Sequence, residues 1–225
     1  MRFHFTDAAN YLKKKRRFVL FFFIIFYIVG FSGLIIPVSH QYFLRLFPLA
    51  LILSFTAILL FHQDAFDNRT ILILTLIGLA GYFIEVAGVN SHLIFGSYIY
   101  GKTLGLRVAG APLLIGINWV MLTYTGSAIT EKMHLPVFLK IIIAALLMLL
   151  YDIILEQTAP ALDMWHWENG LIPFKNYMAW FLTGLVFQTL IKVTKVKTLN
   201  SIAAEITVIQ AIFFILLIIF FKLSA

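Results

Sequence analysis

Three carboxyl groups stand inside otherwise apolar stretches of the chain: Glu85 in the run 70–90, and Asp152 and Glu156 at the end of the run 136–156. Ionisable side chains within membrane-spanning sequence are costly, and by default they are candidates for function. Asp152 and Glu156 are four residues apart and so share a helical face, with Asp152 about 6 Å deeper at 1.5 Å rise per residue. A carboxylic acid in an apolar setting can stay protonated and serve as a general acid, while a second carboxylate can accept a proton. Types and spacing point to proton-transfer chemistry on an apolar substrate.

Polar residues gather around these groups. The stretch from Tyr151 to Gly184 holds Asp152, Glu156, Asp163, His166, Glu168, Asn169 and Asn176, with three of the four tryptophans. Gly78, Gly81, Glu85 and Gly88 fall on one helical face, so a neighbouring helix can approach closely and Glu85 points into a bundle rather than lipid. Asn118 lies about 9 Å below Pro112, a helix-start residue. Asn176, Trp180, Thr183, Gly184 and Gln188 form another stripe.

The elements that must position these residues follow from composition. With 225 residues, 62% hydrophobic and 12% charged, and a mean hydropathy of +0.98, the chain reads as an integral membrane protein. There are no cysteines, which excludes disulfides and thiolate-held clusters. The net charge of +7 is read through topology, since no basic face stands free of membrane sequence; nucleic acid is not a partner. The expectation is an all-α polytopic bundle of about seven transmembrane helices, at 18–37, 44–61, 70–90, 111–130, 136–156, 177–194 and 202–221, forming a single integral membrane domain over 1–225. Residues 1–17, ending in five consecutive basic residues, form a cytoplasmic anchor rather than a cleaved signal, because the next run is a full span with no A-x-A-like site. An N-terminus in the cytoplasm puts twelve basic residues inside and five outside. The location is the cell membrane, with multiple passes.

Connectivity brings the end of span three, the start of four, the end of five and the start of six to one side. Glu85, Asn118, Asp152 and Asn176 then share a layer beneath the loops 91–110 and 157–175. All four tryptophans, Trp119, Trp165, Trp167 and Trp180, lie in or beside that layer. An aromatic belt would decorate both interfaces, so the one-sided placement favours a pocket.

Competing motifs fail on context. Gly96–Thr103 matches a P-loop in form, but it lies in a short loop between spans without the strand and soluble helix that the motif needs; its glycines shape a lid. The six histidines lack paired ligand spacing, and no dinucleotide fingerprint is present, so neither a metal nor a cofactor is implied. His166 and Glu168 alternate around Trp167, a spacing that suits a site or a solvated loop equally. Glu205 suits the first turn of the last helix through its dipole.

Residues Glu85-Val86-Ala87-Gly88-Val89-Asn90, Phe95–Tyr100, Leu104-Gly105, Ala111-Pro112-Leu113 and Asn118-Trp119 resemble a first signature of the membrane carotenoid biosynthesis proteins. Asp152, Glu156, Ala159-Pro160, Trp165-His166-Trp167 and Pro173–Trp180 resemble the second, so that Gly81 to Gly184 matches in order. Ser91-His92 departs from the small Thr-Gly pair of that pattern. The family includes carotenoid 1,2-hydratases and relatives acting on bacterioruberin precursors.

The resemblance implies addition of water across the terminal 1,2 double bond of an acyclic carotenoid end, lycopene-like or gamma-carotene-like, within lipid and without a cofactor. Its greater depth makes Asp152 the first choice for the acid, with Glu85 its rival and Glu156, nearer the interface, the candidate base. Asn118 and Asn176 orient water. Trp119, Trp180 and Trp165 face the cation, and Tyr98 and His166 complete the substrate contacts. The alternative is a transporter or carotenoid-handling protein, which would often show broken helices in two related halves; no such symmetry is visible.

Overall fold

Apolar length and helix-compatible sequence produce seven long helices in the computed structural model, which describes residues 11–64 and 66–224. They are α1 (Arg16–Ile35), α2 (Pro37–Leu60), α3 (Asn68–Ser91), α4 (Leu114–Glu131), α5 (Val137–Glu156), α6 (Phe174–Val193) and α7 (Ala203–Ser224). Each predicted span coincides with one helix, while residues 1–10 of the basic segment lie outside the described part. Five helices, α1, α2, α3, α5 and α7, are long and apolar enough to cross a membrane. α4 and α6 fall short of that measure on composition, so length and hydropathy alone identify five of the seven expected spans.

Packing explains why α4 reads as less apolar. Every residue from Trp119 to Ala128 is buried, including Thr123, Thr125 and Ser127. α3 and α5 are its main packing neighbours, with α2, α6 and α7 also in contact. A helix surrounded by protein can carry small polar residues that a lipid-facing helix carries at a cost.

The predicted loop between the first two spans is absent. α1 and α2 meet across the single residue Ile36, and Pro37 starts α2, where its missing N–H costs nothing. The orphan carbonyls at the end of α1 find partners: Ser39 Oγ donates to the Gly33 carbonyl at 2.8 Å, and the His40 ring lies 2.6 Å from the Leu34 carbonyl.

At the site end the connecting segments form two short antiparallel ribbons. β1 (Tyr98–Tyr100) pairs with β4 (Trp165–Trp167), and β2 (Arg107–Val108) pairs with β3 (Ala111–Pro112). Gly101 permits the join to the 157–164 turn, because a Cβ there would sit 2.1 Å from the Asp163 carbonyl oxygen. Polar ties secure the other end: Glu131 pairs with Lys192 and Lys140, and Lys197 with Asp64. Glu205 pairs with Arg16 of α1, a partner beyond the expected helix-dipole role.

The buried stripe of α3 includes Ile77, Gly81, Glu85 and Gly88. Gly81 is an obligatory gap, since a Cβ would fall 2.5 Å from Trp119 Cγ. Replacing Gly81 by alanine should therefore lower stability by about 1–3 kcal/mol through overpacking, measurable as a drop in unfolding temperature of the membrane-embedded protein.

Candidate active site

Buried carboxyl groups need hydrogen-bond donors, and the two ribbon strands supply them. Alternation along a strand sends Tyr98 and Tyr100 inward while Ile99 faces out, and likewise Trp165 and Trp167 inward while His166 faces away. The register sets Tyr98 opposite Trp167 and Tyr100 opposite Trp165. Four inward aromatic donors thus form a roof over the ends of α3 and α5.

Glu85 accepts three donors, two from the ribbon and one from α4. The Tyr98 and Tyr100 hydroxyls each donate to Oε2 at 2.7 Å, and Trp119 Nε1 donates to Oε1 at 3.1 Å. Burial pushes both phenols above their ordinary range, so they remain O–H donors. Glu156 is held in the same manner: Trp165 and Trp167 donate to Oε2 at 2.9 and 2.7 Å, and Asn176 Nδ2 donates to Oε1 at 3.0 Å.

Asp152 differs. It accepts a single bond, from Asn176 Nδ2 to Oδ2 at 3.2 Å, and its buried Oδ1 has no partner among the described residues. A carboxyl group offers about four lone-pair positions. Glu85 and Glu156 each commit three, whereas Asp152 commits one.

All three carboxyl groups line one small space with Asn118, Asn176 and Trp180. Its volume of about 20 Å³ exceeds the roughly 10–15 Å³ that one water needs on this measure. Trp180 stacks on Trp119 at 4.0 Å between ring centroids and 16° between planes. Beside the polar space lies an apolar chamber of about 280 Å³, and Ile115, Asn118, Leu155 and Trp165 belong to the walls of both.

Glu85, Asp152, Glu156, Asn118, Asn176, Trp165, Trp180 and Tyr98 therefore stand together, with Trp119 behind Trp180. His166 does not join them. Strand alternation turns it outward, where Nε2 lies 2.9 Å from Asp163 Oδ1 and its side chain is 43% exposed. That contact holds the Asp163 carboxyl below its usual range, and Asp163 Oδ2 also accepts from the Lys102 amide. His166 and Asp163 thus brace the roof from outside. Tyr100 and Trp167, outside the expected set, also carry donor roles; the alternations Tyr-Ile-Tyr and Trp-His-Trp are their signal in the sequence.

The family model for carotenoid biosynthesis proteins matches residues 46–225. The chain belongs to this family. All three carboxyl groups and the whole roof fall within the matched residues. A bisanhydrobacterioruberin hydratase of Haloarcula japonica is 26% identical, over 53% of this chain and 44% of its own length. The chain thus matches less than half of that relative. No solved structure matches.

The donor assignment can be checked by substitution. Trp167→Phe keeps a ring against Tyr98 but removes one donor from Glu156; leaving that buried acceptor short should cost about 1–3 kcal/mol. Unfolding measurements on purified protein would register the loss.

Proposed function

We propose that this carotenoid biosynthesis protein is a hydratase that adds water across the terminal 1,2 double bond of an acyclic carotenoid end. The observation that carries this reading is Asp152 Oδ1, buried and uncommitted in the wall of a water-sized space that adjoins an apolar chamber. In the proposed step, Asp152 transfers its proton to the less substituted alkene carbon. The π bond supplies the electron pair for the new C–H bond, leaving a tertiary cation on the neighbouring carbon. Water held near Asn118 and Asn176 attacks that carbon through an oxygen lone pair, and Glu156 takes the released proton. The product is a tertiary alcohol, and return of the proton from Glu156 to Asp152, joined by their shared donor Asn176, completes the cycle.

The cation needs a tolerant environment. The Trp180 ring and the fixed oxygens of Glu85 line the space where positive charge develops. A cation over an aromatic face gains about 0.5–2 kcal/mol, and Trp119, stacked behind, keeps the Trp180 ring in place. The relative named for hydration of a bacterioruberin precursor supports a hydro-lyase reading. A lycopene-like or gamma-carotene-like substrate within the cell membrane, with the N-terminus cytoplasmic and the site at the outer face, completes the proposal.

General acid catalysis typically contributes about 10²–10⁴-fold. Asp152→Asn should lower hydration of lycopene in isolated membranes by that order while protein level and unfolding temperature stay near those of the unaltered chain. Retained hydration in both Asp152→Asn and Glu85→Gln would refute the carboxyl scheme.

A further inference from the structure

The apolar chamber reaches well beyond the carboxyl layer. Its far walls come from α1, α2 and α7, which contribute Tyr27, Gly30, Phe47, Gln210 and Phe213. Three lining residues are half exposed or more: Val29 at 52%, Leu46 at 50% and Leu49 at 56%. All three are apolar and lie on helices long and apolar enough to cross a membrane, so the mouth of the chamber faces lipid rather than water.

Building on the hydratase reading, we infer that this chamber receives the flexible end of an acyclic polyisoprenoid sideways from the bilayer, and that α1, through Gly30, sets how much of the chain is admitted. Continuity supports the occupant: a chain lying in the chamber meets the carboxyl layer across Ile115, Asn118, Leu155 and Trp165. Size supports it too. At about 280 Å³ the chamber lies just under the roughly 300–1,000 Å³ of small-molecule sites, a size for one end of a long polyene with the remainder left in lipid.

Gly30 is the one chamber-lining residue without a side chain. A Cβ there would meet Phe213 Cε2 at 3.6 Å, an ordinary contact, so alanine fits; Phe213 also lines the chamber, so a longer side chain at Gly30 would take space from it. The wall is braced against retreat. Gln210 Nε2 donates to the Tyr27 hydroxyl at 2.8 Å, Tyr27 and Ser54 share a 2.8 Å hydrogen bond, and Tyr151 donates to Gln210 Oε1 at 3.2 Å. These groups satisfy one another and leave the surroundings of the chain apolar. The family match begins at residue 46, so the carboxyl layer lies within it while α1 lies outside.

The test is a binding titration of lycopene into nanodisc-embedded protein, read by quenching of tryptophan fluorescence and run beside a hydration assay. A graded series is expected. Gly30→Ala should weaken binding least and Gly30→Leu more, and Gly30→Phe should weaken it about tenfold, a difference of roughly 1.4 kcal/mol. Unfolding temperatures identify variants that remain folded, and Gly30→Leu carries the test if Gly30→Phe does not fold. Unchanged lycopene binding in a folded Gly30→Phe or Gly30→Leu protein overturns the chamber, even if hydration proceeds. Graded binding without any hydrated product upholds the chamber and removes the hydratase reading instead.

Discussion

The structure depends on satisfying buried carboxyl groups with donors from the protein itself. Glu85 and Glu156 lie 3% and 4% exposed, where an unpaired polar group is expensive. Each is surrounded by neutral donors: two tyrosines and a tryptophan for Glu85, two tryptophans and an asparagine for Glu156. Aromatic donors suit this setting because one side chain supplies a hydrogen bond and a large apolar surface together. The ribbon of β1 and β4 exists in the right register to deliver four of them. Once those contacts are made, Asp152 is the carboxyl group left with an oxygen to spare.

The helices can be understood from that requirement. Gly81 lets α3 approach α4 closely enough for Trp119 to reach Glu85. α6 brings Asn176 between Asp152 and Glu156. α4 stands at the centre and shields the layer from lipid, which is why its sequence carries serine and threonine where an exposed span would carry leucine. α1, α2 and α7 add the apolar chamber on the opposite flank. The polar space and the apolar chamber therefore adjoin, with Ile115, Asn118, Leu155 and Trp165 as a shared wall.

Much of the helical framework was legible because spacing and connectivity are local properties of a chain. The glycine face of α3 and the Asp152–Glu156 pair could be read from a 3.6-residue period, and the one-sided gathering of polar residues followed from counting spans. The roof was less legible. Its pairing joins residues such as Tyr98 and Trp167 that are remote in sequence, and three-residue strands are too short for alternation to stand out. His166 consequently appeared among the contact residues, although the strand turns it outward. The chamber was hidden for a different reason. In α1 and α2 an apolar residue facing a cavity is the same kind of residue as one facing lipid, so composition does not separate them. The short link at Ile36 was masked likewise, since Pro37 serves as well for a helix start as for a loop.

The most direct measurement of the central claim uses membranes containing the protein, supplied with lycopene in water enriched in heavy oxygen, followed by mass analysis of the pigment. A three-carboxyl site acting by hydration predicts a product heavier by one water, with its hydroxyl oxygen drawn from the labelled solvent. Unchanged pigment in the presence of folded, membrane-inserted protein, or a hydroxyl oxygen taken from dioxygen, would contradict it.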